Sequence, residues 1–266
     1  MNDVTQPAQT GPRFLIAVYG LEGIGAMALL ADSASQPASK RNNHTTYINL
    51  DQTRSFRHMP GYLEGIDRVF ILGSDDGITA PPSALELALQ CREKNIGCFT
   101  MLSISNPSEQ MDVATESLCN LASNALLLPF NRPVDNLTSC NLLKAAVATI
   151  MDPLLIRGMV GVDIQDVEDW LKQGKRVHFS LATAKGAHRA TEAAELAIRR
   201  MPAIQDAVAI IGTITCGSDL SIEEYSAIRN NIHAAANSEC LVSTLTTAHE
   251  EFPGEIQLTL MCVMRE

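Results

Sequence analysis

None of the seven cysteines belongs to a C-x-x-C pair; they stand at 91, 98, 119, 140, 216, 240 and 262, mostly inside apolar runs. That scatter excludes a zinc ribbon and a disulfide frame, and fits reduced, buried thiols with no metal site. No apolar run reaches the roughly 18 residues that cross a bilayer. The segment Met1–Pro12 lacks both a basic start and an apolar stretch, so it is read as a flexible N-terminal segment and not as a signal peptide. Positive charge is short as well: 20 Lys and Arg face 30 Asp and Glu, for a net charge of −10. Such a balance repels polyphosphate backbones unless a basic patch overrides it, and Lys40-Arg41, the notable early pair, is more simply a solvated loop. These absences predict a cytoplasmic protein with no nucleic-acid partner and no membrane segment.

What is present is core material. The 266 residues are 46% hydrophobic, enough for one large domain or two modest ones. An apolar run over 14–18 ends in Tyr19-Gly20 and passes through a glycine-containing turn to a helical stretch at 26–30. Short strands follow at 46–50 and 68–72, the second stopping at Gly73. Ser83 is expected to cap a helix to about Lys94, ahead of a strand at 97–102, an amphipathic stretch from Ser108 to Ser123, and a strand at 125–128. Strands alternating with helices require crossovers, which favour a doubly wound, mostly parallel sheet over 13–135. A long Leu-, Ala-, Val- and Ile-rich helix over 136–157 comes next, with Pro153 expected to kink or finish it.

After Gly158 the rhythm changes. The pattern predicts helices at 164–173, 187–200 and 221–236, and strands at 176–181, 207–214, 241–246 and 255–261, the last two able to pair as neighbours. Residues 158–266 thus read as a smaller mixed α/β domain joined to the first by the long helix.

The second half carries a resemblance. Residues 184–198, with a small-residue turn before Arg189-Ala-Thr-Glu-Ala-Ala194, look like a segment of the FtsZ and tubulin family. Residues 212–225, with Gly217-Ser-Asp-Leu220 between a strand and a helix, are similar to that family's strand, Gly-x-Asp-Leu turn and helix. Residues 158–167 resemble the family loop that carries an Asn-x-Asp-x-x-Asp pattern. The resemblance implies a tubulin/FtsZ-like α/β fold: an N-terminal doubly wound domain, a central helix and a smaller C-terminal mixed α/β domain. It also implies head-to-tail self-association, or association with another FtsZ-family protein, in which one subunit's acidic loop meets the nucleotide of the next. Asp163 and Asp166 match the two acids, which in that role act on the neighbour's nucleotide by orienting the attacking water. Gly161 stands where the family has Asn. From chemistry alone, the same two carboxylates also read as an acidic helix start favoured by the dipole.

The resemblance implies GTP or GDP as ligand, with Mg only when GTP is bound. The positions that match its nucleotide contacts are Gly20, Gly23 and Gly25 in the first turn, Asn49 and Asp51 after the second strand, Gly73, Ser74, Gly77 and Thr79 after the third, and Asn141 on the central helix. Glycine turns let backbone N–H groups approach an anion. The family's Gly-Gly-Gly-Thr-Gly-Thr-Gly loop corresponds here to 73–81, which is shorter, poorer in glycine and carries Asp75 and Asp76. Glu22 adds a further negative charge, and Asn141 lacks the charge that pairs with guanine's two N–H donors. The expectation is a divergent prokaryotic cytoskeletal protein with weak or lost GTP binding and hydrolysis, a pseudo-GTPase. The sequence ends at Glu266, just after the last strand, without the adaptor-binding tail usual in FtsZ, which argues against the standard division role.

Two alternatives remain open at this stage: an active, polymerising GTPase of the same family, and a Rossmann-type dinucleotide-binding enzyme. The second has Gly-x-x-Gly-x-Gly spacing against it, and no catalytic His, Lys or Tyr constellation supports it. His178 and His188 read as packed or capping residues, and Arg189 as a packing contact. Trp170 is read as filling the interface with the central helix, and Met101, Met111, Met151 and Met159 as core.

Overall fold

The computed structural model describes residues 12–20, 45–53, 55–56, 61–74, 79–104, 111–129, 139–156, 158–174, 176–201, 203–250 and 252–265. The strands are β1 (Phe14–Val18), β2 (Thr45–Asn49), β3 (Arg68–Ser74), β4 (Gly97–Ile104), β5 (Asn124–Pro129), β6 (Arg176–Lys185), β7 (Ala207–Cys216), β8 (Leu241–Ala248) and β9 (Glu255–Met264). The helices are α1 (Pro82–Glu93), α2 (Val113–Leu121), α3 (Ser139–Leu155), α4 (Ile164–Leu171), α5 (Arg189–Arg199) and α6 (Ile222–Ala235). The predicted helix at 26–30 lies outside the described residues.

Among the described residues, nine strands form one mostly parallel sheet in the order β2-β1-β3-β4-β5-β6-β9-β7-β8. β1 through β6 run parallel, and Leu127 opposite Arg176 makes the junction between the two halves. β9 is antiparallel to both β6 and β7, while β8 is parallel to β7. The expected pairing of the last two strands is therefore corrected, because β7 lies between them. β7 is buried along nearly its whole length, and its central position uses both of its edges.

Period-two alternation decides which face each side chain enters. Phe14, Ile16, Val18, Phe70, Leu72, Phe99 and Met101 point to one face, and so do Ala209, Ile211, Met261 and Val263 from the far half. Leu143, Ala146, Val147 and Ile150 of α3 and Val167 and Leu171 of α4 cover that common face. Phe70 stacks on Phe99 with ring centroids 5.0 Å apart. On the opposite face, α1 and α2 bury Leu15, Ala17, Val69 and Ile71, whereas α5 and α6 bury Ile210, Ile214, Leu258 and Leu260. Strands buried on both sides read as continuous apolar runs, which is why they were visible in the sequence.

Helix starts follow their local chemistry. Asp112 caps α2 through the amides of Ala114 and Thr115, and Ser221 with Glu224 forms a reciprocal capping box on α6. Ser83 does not cap α1. Pro82 opens that helix, where its missing N–H costs nothing, and the Ser83 hydroxyl donates to the Leu50 carbonyl at 3.0 Å. α3 ends at Leu155, two residues beyond Pro153.

Candidate functional site

β1, β2 and β3 end at the same edge, since Val18 pairs with both Asn49 and Leu72. Gly20 leaves β1 at φ +66°, in the left-handed region that favours glycine. Its N–H donates to Asp51, 3.0 Å from Oδ2 and 3.3 Å from Oδ1. The Asp51 N–H donates to Asn49 Oδ1 at 2.9 Å, and the Thr53 hydroxyl to the Asn49 carbonyl at 2.7 Å. Gly20, Asn49 and Asp51 therefore come together, at the strand ends where α/β folds hold ligands. The Gly20 amide already faces a carboxylate, and that charge opposes an incoming phosphate.

Gly73 sits beside them in β3, facing the ring of Tyr19, which is buried. A Cβ added at Gly73 would overlap that ring, so the absent side chain makes room for Tyr19. Ser74 ends β3, Thr79 is exposed ahead of α1, and Asn141 lies in the first turn of α3. The side chains of Ser74 and Asn141 lie outside the described residues, as do Gly23, Gly25, Gly77, Glu22, Asp75 and Asp76.

The acidic pair sits elsewhere, at the start of α4. Asp163 is the N-cap and its Oδ1 accepts from the Asp166 N–H at 2.9 Å, with Asp166 in the first turn. Both side chains are exposed. The helix-start role is thus filled, and it leaves the second oxygen of Asp163 and the whole Asp166 carboxylate toward solvent. A Cβ built at Gly161 meets nothing within 4 Å, so the loop is open on that side.

A polar group that sequence reasoning missed lies between α3 and the far half of the sheet. Burial pushes the Asp152 carboxyl up to about 6. His249, after β8, places Nε2 3.8 Å from Asp152 Oδ2, and the Tyr47 hydroxyl is raised by burial and by the Asp152 charge. A cavity of about 130 Å³ beside them is lined by Thr149, Thr213, Thr215, Phe252, Gln257 and Thr259 among others. The available signal was Asp152 itself, the acid late in a mostly apolar helix.

Arg189 is buried and forks onto Glu224, with Nε at 2.7 Å from Oε1, and onto Asp219, with Nη1 at 2.6 Å from Oδ2. This packing contact ties the turn before α5 to the turn before α6. His178 is half-buried in β6, its pKa lowered by burial and then by Arg176. His188 stands at the N-cap of α5 but makes no side-chain cap bond, so the capping expectation is not met there. Trp170 packs against the cluster that includes α3, whereas Met159 is exposed and not a core residue.

Residues 176–264 match the family model described as FtsZ family, C-terminal domain. The cell division protein FtsZ of Azotobacter vinelandii is 29% identical over 226 residues, covering 75% of this chain and 56% of that protein. FtsZ of Coxiella burnetii is also 29% identical, covering 75% and 57%. The chain therefore spans little more than half the length of these curated relatives. An empty FtsZ dimer from M. jannaschii superposes with a TM-score of 0.72 at 12% identity, covering 96% of this chain and 89% of that one. CetZ2 from Haloferax volcanii, solved as a GTPγS-bound protofilament, gives 0.60 at 13% identity, covering 96% and 93%. The fold is the FtsZ/tubulin-like α/β fold. Residues 176–264 carry the match to the FtsZ C-terminal domain, and the chain as a whole is similar to FtsZ. No helix among the described residues is long and apolar enough to cross a membrane.

Proposed function

We propose that this chain is a cytoskeletal subunit that stacks head to tail, on itself or on an FtsZ-family partner, with weakened nucleotide binding and little turnover. The division follows the earlier boundaries: a nucleotide-type region over 13–135, a connecting helix, and a docking region over 158–266. The observation that carries the reading is the pair Asp163 and Asp166, exposed at the start of α4, shortly before residues 176–264, which match the FtsZ C-terminal domain. One of the structural relatives is a GTPγS-bound protofilament, which makes a stacked assembly the natural context for such a loop.

Weak GTP binding is supported by the Gly20 amide, which a carboxylate already occupies, and by Gly73, whose openness is filled by Tyr19. Phosphate-gripping loops rely on free amides that converge on the anion. Here one such amide is bonded to Asp51. If GTP is held at all, Mg is the ion that would accompany it.

The test is electron microscopy and sedimentation of the full chain with and without GTP, beside the double variant Asp163→Ala, Asp166→Ala. The expected result is assembly that depends weakly on GTP and is lost in the double variant. Tight GTP retention through purification, with rapid turnover, would instead establish the active polymerising GTPase.

A further inference from the structure

We infer that Thr246, on β8, is the positioning residue of the acidic loop; this rests on the reading that the loop is a docking element. Among the described residues between α3 and α4, Met159, Gly161 and Asp163 are exposed, while Val162 packs against the core. The first residues of this segment are held by a strand more than 80 positions away in sequence. The Thr246 hydroxyl oxygen accepts from the Met159 N–H at 2.6 Å and from the Val160 N–H at 3.1 Å. Two consecutive amides converge on one buried oxygen, since Thr246 is 2% exposed.

Gly158 completes the clamp. A Cβ added there would fall on the Thr246 carbonyl, so the chain lies directly on the β8 backbone with no room for a side chain. From this fixed point the chain passes Gly161 and reaches Asp163, whose carboxylate caps α4. The two acids are thus aimed by a grip at each end of the loop: Thr246 at the start and the Asp163 cap at the finish. Their direction in space follows β8 and the far half of the sheet, and α3 only delivers the chain. β8 is the last strand of the sheet, paired on one side by β7, so the loop is mounted on an edge.

The experiment compares Thr246→Val, which keeps the β-branched shape and removes the acceptor, with Thr246→Ser, which keeps the acceptor. Amide hydrogen exchange in the full chain is read at Met159 and Val160, with β7 and β9 amides as the folding control. Thr246→Val should speed exchange at Met159 and Val160 by about tenfold or more while leaving the control amides unchanged, and Thr246→Ser should restore protection. Sedimentation should follow the same order, with assembly lowered by Thr246→Val and kept by Thr246→Ser. Unchanged exchange in Thr246→Val overturns the clamp. Faster exchange with normal assembly, where Asp163→Ala, Asp166→Ala abolishes assembly, overturns its positioning role. If the unaltered chain assembles neither alone nor with an FtsZ-family partner, the docking reading fails by itself, and the positioning role that rests on it falls too; exchange then still decides whether the grip exists.

Discussion

The carbonyl of Thr149 accepts the Thr213 hydroxyl at 3.1 Å, joining α3 to β7. The residue four positions on from Thr149 is Pro153, which has no N–H to offer. The helix therefore leaves one carbonyl without its usual donor, and a strand threonine supplies it. Thr149 also donates to the Ala145 carbonyl at 2.8 Å and lies 3.1 Å from Thr259 Oγ1, so the joint extends to β9.

A double-mutant cycle tests this joint. Thr213→Val in the unaltered helix should destabilise the protein by about 1–3 kcal/mol, the cost of a buried acceptor left without a donor. Pro153→Ala returns a helical N–H, and in that background Thr213→Val should cost less than about 1 kcal/mol. Denaturant midpoints of the four proteins give the coupling. An equal cost in both backgrounds would show that the proline is irrelevant to the bond.

Asp152 makes stability depend on pH between its unfolded and folded values. Its carboxyl is raised to about 6 by burial, so the folded state favours the protonated form. That contribution is fully present below about pH 4 and is lost as pH rises through about 6. A shift of this size corresponds to at most about 3 kcal/mol. Solvent reaching the exposed part of the side chain lowers it to about 1–2 kcal/mol. A protonated His249 nearby would offset part of the loss. Asp152→Asn should be more stable than the unaltered chain at pH 7 and converge with it near pH 4. A pH-independent difference between the two would sink this account.

Arg189 holds two turns through a fork that lysine does not reproduce. Its bonds keep both Glu224 and Asp219 below the usual carboxylate range. Stability from these two acids is therefore present above their unfolded values and lost as pH falls through the depressed ones. Arg189→Met should cost about 2–4 kcal/mol, less than for a fully buried pair because the Asp219 side chain is 48% exposed. Arg189→Lys should recover under half of that, and thermal unfolding above pH 5 measures both. Full rescue by lysine would show that charge alone matters.

Much of this architecture was legible in the sequence, because strands buried on both faces are plain apolar runs. β1, β3 and β4 begin at the predicted residues. β6 to β9 run longer than expected: the added ends of β7 and β8 hold the buried Thr215 and Thr247, and that of β9 is the buried Cys262–Met264. Strand order was less accessible: nothing in the residues of β8 and β9 says that β7 separates them. The start of α1 was misjudged because Ser83 has the right chemistry for a cap, while its hydroxyl is used on Leu50. Of the site, the acids at 163 and 166 were visible as a pattern. The Asp51 bond to Gly20 and the Thr246 grip are tertiary contacts without a local signature.

Asp51 offers the sharpest test of the nucleotide side. Its carboxylate bonds the Gly20 amide, so a phosphate approaching that strand edge meets a negative charge and finds the amide engaged. At about 4–5 Å, two unit charges repel by about 1 kcal/mol in water and by several at the lower effective dielectric of a protein surface. Asp51→Asn keeps an oxygen that can accept from Gly20 while removing the charge. GTP affinity, followed by calorimetry, should therefore tighten by about five- to tenfold at low salt and by less at high salt, where screening already weakens the repulsion. The same substitution in a site that uses the carboxylate to hold its ligand would lower affinity instead. A weakened Asp51→Asn variant would thus show that the carboxylate is no barrier to nucleotide and favour the active GTPase, whereas salt-dependent tightening would identify this one charge as a barrier.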